Sequence, residues 1–177
     1  LSFTTTAYQN EFQRNWYKLD YLQTAQGRSS LANILTNPDD YAAELNIIKG
    51  NQDSEGAALF VKANNRAYIS KGIQSKLDIH WSGVNTFHDL EIGTRWHFDQ
   101  EDRFQWVDNY AINGGAMQLI KRGVPGTDAN RVSDANTFAA YALYKFSYKN
   151  LTLTPGIRYE DMELSRNDFG KTDVLRE

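Results

Sequence analysis

The sequence predicts an all-β, antiparallel fold of the kind that crosses a membrane as part of a β-barrel. Three observations predict it. Apolar and polar residues alternate with period two over stretches far longer than a soluble strand. The connections between those stretches are alternately very short and very long. The chain carries 10 Tyr, 9 Phe and 4 Trp against 3 Pro, yet no apolar run approaches the roughly 18 residues of a spanning helix. An aromatic-rich chain without such a run is still compatible with a membrane, because the residues of a spanning strand alternate between lipid and lumen.

The elements follow in order. Residues 2–17 are rich in Thr, Tyr and Phe, alternate weakly, and read as a first strand. About 48 residues, 18–65, separate it from the next. Within them Asn37 is placed to cap a helix, Pro38 suits its first position, and Asp39 and Asp40 favour the positive end of its dipole. Tyr41, Leu45 and Ile48 fall at i, i+4 and i+7, and Gly50 is a natural stop. That stripe reads as the inner face of a packed loop element rather than as a binding helix.

Residues 66–82 form the second strand, in which Ile73, Leu77, Ile79 and Trp81 alternate with Gln74, Lys76, Asp78 and His80. A turn at Ser82-Gly83-Val84-Asn85 leads to the third strand, 86–107. Leu90, Ile92, Thr94, Trp96 and Phe98 share one of its faces; Asp89, Glu91, Arg95, His97, Asp99, Glu101 and Arg103 share the other. Phe87 to Trp106 is 20 residues, against about 5–6 for an ordinary strand, and would extend roughly 60 Å or more. Only its first half has an apolar face. The stretch Asp99-Gln100-Glu101-Asp102-Arg103 is charged on both, as expected of a strand that leaves an apolar medium and continues into water.

The Gly-rich, small-polar segment 109–133 reads as a loop within a connection of about 28 residues, 108–135. The fourth strand, 136–149, alternates Phe138, Ala140, Ala142, Tyr144, Phe146 and Tyr148 with a mixed set that includes Lys145 and Ser147. Lys149-Asn150 makes a tight turn. In the fifth strand, 151–165, Leu151, Leu153, Ile157 and Tyr159 alternate with Thr152, Thr154, Arg158 and Glu160. Short and long connections in alternation mark an outer-membrane barrel, with the short turns toward the periplasm and the long connections, 18–65 and 108–135, outside. Trp81, Phe87 and Tyr148 lie beside the short turns, and Trp96 and Phe98 about 10 residues further along. They read as two interfacial belts of aromatic rings.

Composition excludes several functions. A formal net charge of −3, from 19 basic and 22 acidic side chains, gives no footprint for nucleic acid, which needs a clustered basic excess. With 0 Cys, disulfide scaffolds, thiol nucleophiles and zinc knuckles are absent. His80, His88 and His97 have no metal-ligand spacing, so no metal site is assigned, and no cofactor. Ser70, Ser75 and Ser82 lack a nucleophile-elbow setting. The carboxylates Asp89, Glu91, Asp99 and Glu101 read as a polar lumen wall balanced by Arg95, Arg103 and Arg158, not as a general acid–base pair. No catalytic residue is assigned, and the chain is expected not to be an enzyme. Leu1 is not an initiator Met, so the chain reads as a processed product or an internal piece of something longer.

Four stretches, in order along the chain, resemble the β-barrel of TonB-dependent outer-membrane receptors. They are TTTAYQNEFQRNWYKLD from Thr4, KANNRAYISKGIQSKL from Lys62, HDLEIGTRWHFDQEDRFQW from His88 and YKNLTLTPGIRYEDM from Tyr148. The most specific piece is Leu151 to Glu160, where Thr-Pro-Gly-x-Arg-Tyr follows a short turn. In Ser70 to Leu77, Gln74 stands where the family usually has Glu. The likeness is greatest to the ferric citrate and ferric siderophore branch.

The resemblance implies a 22-stranded-type barrel closed by an N-terminal plug, of which residues 1–177 would supply about five strands and no plug. It implies residence in the outer membrane of a Gram-negative bacterium, with lipid against the apolar parity. It also implies energy-coupled uptake of a bulky ligand such as a ferric chelate, driven by the TonB protein through an N-terminal part outside this sequence. An anionic chelate entering from outside would meet Arg95, His97 and Arg103, since Arg recognises carboxylate or catecholate oxygens in a bidentate manner. The alternative for each Arg is a pair with Asp99, Glu101 or Glu160 on neighbouring strands. Two other functions fit less of the pattern: a soluble β-sandwich or lipocalin-like binding module with strands of ordinary length, and a barrel that imports cobalamin, a sugar or a peptide.

Overall fold

Long strands dominate the computed structural model, which describes all of residues 1–177. The elements are β1 (Ser2–Thr24), β2 (Gly27–Ser30), α1 (Leu31–Thr36), α2 (Ala42–Ile48), β3 (Leu59–Gly83), β4 (Thr86–Asn113), β5 (Ala116–Lys121), β6 (Ala129–Tyr148), β7 (Leu151–Leu153) and β8 (Gly156–Asp168). β1, β3, β4 and β6 have 23, 25, 28 and 20 residues. Those lengths set aside the soluble sandwich, whose strands would be about a quarter as long. Pairing runs β2–β1–β3–β4–β6–β7, with β5 also on β4 and β8 on β6. The hairpins β1–β2, β4–β5 and β6–β7 are antiparallel. The tight turns use left-handed residues, Asn85 at φ 61° and Lys149 at φ 51°, as two-residue hairpin loops require.

The five strands lie where alternation places them, but each reaches further on the side of the long connections. β1 continues to Thr24, β3 begins at Leu59, β4 continues to Asn113, and β6 begins at Ala129. In these extensions neither face keeps a uniform character, so the period-two signal fades although the pairing continues. The fifth strand is broken at Thr154–Pro155 into β7 and β8. Pro155 has no N–H to offer the ladder; its carbonyl still accepts from Tyr144 N at 2.9 Å, which keeps the strand seated on β6.

The chain forms two compact units. The first comprises residues 1–12, 68–101 and 132–167. Its parts of β3, β4 and β6 carry alternating side chains, and its apolar face, including Ile73, Trp81, Ile92 and Phe138, is exposed. The second comprises residues 13–67, 102–131 and 168–177. It has a hydrophobic core of Leu22, Ile34, Ile47, Ala58, Leu59 and Ile112, with Tyr41, Leu45 and Ile48 packed against it.

The predicted helix is present but starts later. Asn37 opens a turn, with Tyr41 N bonded to its carbonyl at 3.3 Å, and α2 begins only at Ala42 with no side-chain cap. The stripe is right, and Gly50, at φ +73°, is the stop. α1 was not foreseen; Ser30 caps it by accepting from Asn33 N at 3.2 Å.

Several buried and half-buried polar groups of the second unit are paired. Asp108 accepts from Gly123 N at 2.7 Å, and Lys62 joins Asp20 and Asp128 at 3.5 and 3.2 Å. Arg176 makes a fork with Asp102 at 2.8 and 2.6 Å and lies over the Phe104 ring. The hydrogen bond to Asp102 raises its pKa above the ordinary arginine value, against the opposing effect of burial.

Candidate functional site

The polar face of the first unit is built by the even residues of β1 and β3 and the odd residues of β4 and β6, which the pleat brings to one side. Most of its charges neutralise one another. Lys76 Nζ lies 3.2 Å from Asp78 and 3.4 Å from Glu91. His80 Nδ1 is 2.8 Å from Asp89 Oδ1. Tyr141 Oη donates to Glu91 at 2.6 Å, and Arg158 pairs with Glu160. For these groups the balanced polar wall is what the structure contains.

Arg95 is different. Its Nε and Nη2 donate to the Tyr8 hydroxyl at 3.3 and 2.9 Å, and Nη2 lies 3.2 Å from His97 Nδ1. Neither partner is a carboxylate, whereas Lys76 and Arg158 each hold one. Tyr8 Oη also bonds His97 Nδ1, and His97 Nε2 bonds Asp99 Oδ2 at 2.6 Å. Arg95 remains exposed and lines a cavity of about 300 Å³ with Thr4, Gln74, Lys76, Thr94 and Arg158. An exposed guanidinium without a carboxylate keeps its charge available to an anion.

Of the residues predicted for ligand contact, Arg95 and His97 therefore share one hydrogen-bonded chain. Arg103 belongs to the second unit and takes no part in that chain. Asp99 bonds His97 rather than Arg95, so the alternative of an Arg95–Asp99 pair is not formed. Sequence reasoning missed Tyr8, 87 residues from Arg95. Its signal was indirect: a glycine, Gly72, on the polar face of the intervening strand, where a backbone is closely approached.

The three histidines do not converge. His80 and His97 serve the pairs above. His88 stacks on Trp81 at 4.9 Å between centroids and 2° between planes, and its Nδ1 is 2.6 Å from Tyr144 Oη. Phe146 completes this cluster, 5.3 Å from His88. At the short turns the ring cluster thus recruits His88, of the apolar parity, while Phe87 points to the opposite face by alternation.

Residues 1–176 match the family model of the TonB dependent receptor-like β-barrel. The chain belongs to that family. TonB-dependent receptors are receptors and transporters of the Gram-negative outer membrane rather than a class of enzymes. No curated protein matches the sequence. Among solved structures it is similar to the ferric citrate transporter FecA in the unliganded form, with 22% identity and a TM-score of 0.46. That likeness covers 66% of this chain and 17% of the FecA chain, so the chain spans about a sixth of the length of that transporter.

Proposed function

We propose that this chain is part of an outer-membrane receptor for energy-coupled uptake of an anionic iron chelate, such as ferric citrate or a ferric siderophore. Residues 1–177 form one part of the barrel domain. The pairing order is open at both ends, and unpaired strand edges are not tolerated in lipid, so further strands complete the barrel. A plug and the contact with the TonB protein belong to the N-terminal part of such a receptor. The short turns face the periplasm. A small maleimide should label Cys at Asp53 or Gly126 on intact cells and fail at Asn150; labelling at Asn150 without permeabilisation inverts this orientation.

Arg95 carries the reading of the ligand. Its cation is held by a phenol and an imidazole, while neighbouring cations are spent on carboxylates. That arrangement favours a ligand with anionic oxygens over a neutral one. Arg95 and His97 contact the ligand. Arg95→Ala should weaken chelate binding by about 1.5–3 kcal/mol, the range for a hydrogen bond to a charged group. Binding of ferric citrate, a ferric catecholate and a ferric hydroxamate to the complete receptor tests this. Unchanged affinity for all three removes the assignment and favours another cargo, such as cobalamin, a sugar or a peptide.

A further inference from the structure

We infer that Tyr8 is a positioning residue for Arg95, and that Gly72 exists to let it reach. This rests on the reading of Arg95 as a ligand contact. β3 lies between β1 and β4, so a side chain from β1 must cross it to meet Arg95. The polar face of β3 carries Gln74, Lys76, Asp78 and His80, each of which would block such a crossing. At Gly72 nothing projects. A Cβ there would sit 2.5 Å from Tyr8 Oη, 2.7 Å from Tyr8 Cζ and 2.6 Å from the Trp96 carbonyl oxygen. The Tyr8 phenol therefore lies directly on the backbone of β3 and delivers its hydroxyl to β4.

The protons along this chain run in one direction. Asp99 only accepts, so His97 carries its proton on Nε2, toward Asp99. Nδ1 then offers a lone pair, consistent with the Arg95 N–H facing it at 3.2 Å. The Tyr8 hydroxyl donates to that lone pair, which leaves its oxygen to accept from Arg95 Nε and Nη2. The guanidinium is gripped along one edge. Its Nη1 edge is left for an oxygen of the ligand, beside the cavity that Arg95 lines. Arginine is rich in rotamers, and fixing it before the ligand arrives removes an ordering cost from binding.

Gly93 makes a related contact without a crossing. Tyr141, from β6, lies over Gly93 so closely that a Cβ there would collide with its ring, and its hydroxyl reaches Glu91 at 2.6 Å. Two tyrosines, one from each side, thus lie over a glycine to hold a charged group of β4; Tyr8 crosses β3 to do so, whereas Tyr141 reaches Glu91 on the adjacent strand itself.

The test is a double-mutant cycle in the complete receptor, with ferric citrate, a ferric catecholate and a ferric hydroxamate as probes. Tyr8→Phe keeps the ring over Gly72 and removes only the hydroxyl; heat-modifiable migration in detergent checks that the barrel has folded. Tyr8→Phe should weaken binding roughly two- to tenfold, the range for losing the pre-ordering of one long side chain. In an Arg95→Ala background the same change should have no effect. Equal weakening in both backgrounds overturns the proposal, because Tyr8 then acts without Arg95. No weakening by Tyr8→Phe where Arg95→Ala does weaken binding also overturns it, and leaves Arg95 as a contact that needs no holding. No effect of Arg95→Ala with any probe removes the underlying reading of the ligand, and the positioning role with it.

Discussion

In the second unit, Leu22, Ile34, Ile47, Ala58, Leu59 and Ile112 meet one another and are closed off from solvent. In the first, Ile73, Trp81, Ile92, Phe138 and Ile157 are between 40% and 75% exposed and have no protein over them. Of the ten buried apolar residues, nine belong to the second unit and only Ala139 to the first. The same long strands supply both. The difference teaches that the units meet different solvents. The second gains its stability as a water-soluble domain does, by removing apolar surface from water. The first leaves a contiguous apolar face open, which in water marks an interaction surface and in a barrel is the surface that lipid covers.

Substitutions can break or sharpen that contrast. The largest effect is expected at the centre of the enclosed core. Ile34 is fully buried, and Ile34→Ala should cost about 2–5 kcal/mol through lost transfer energy and the cavity left behind. The damage should stay within the second unit, read as faster amide exchange over 31–48 with unchanged exchange in 86–96. Loss of protection in both segments would show that the units are not energetically separate.

A comparable effect is expected on the open face of the first unit, from the opposite chemistry. Ile92→Arg should destabilise the barrel in lipid vesicles by about 2–4 kcal/mol if the residue lies near the bilayer midplane. Denaturant unfolding in vesicles measures it. Leu35, in α1, is more exposed than Ile92, at 61% against 40%, yet Leu35→Arg should change stability by no more than about 0.5 kcal/mol, as for an ordinary wet surface. Equal costs at the two positions would erase the distinction between their surroundings.

The first unit was the more legible of the two in the sequence. Leu90, Ile92 and Trp96 against Asp89, Glu91 and Arg95 is a pattern that only a half-polar strand produces, and one residue of slippage would invert it. The second unit broke the pattern because its strand extensions meet packed loops. There Leu22, Leu59 and Ile112 are apolar for a local core rather than for a continuous face. Pro155 carried its own warning of a break in the ladder. The start of α2 was misjudged because Asn37-Pro38-Asp39-Asp40 is as good a turn as it is a cap. Tyr8 was hidden for another reason: its role depends on a crossing over Gly72 to a strand 87 residues away, and no local spacing encodes that.

The central claim is that successive residues of β4 alternate between lipid and an aqueous polar face. Single spin labels along Leu90–Trp96 in the receptor, reconstituted in lipid, test it most directly. Collisions with oxygen, which concentrates in lipid, should peak at Leu90, Ile92 and Trp96. Collisions with a water-soluble nickel chelate should peak at Glu91 and Arg95. Two accessibility profiles of period two and opposite phase are the result this account predicts. Profiles that rise and fall together, or that show nickel access at Leu90 and Ile92, would contradict it.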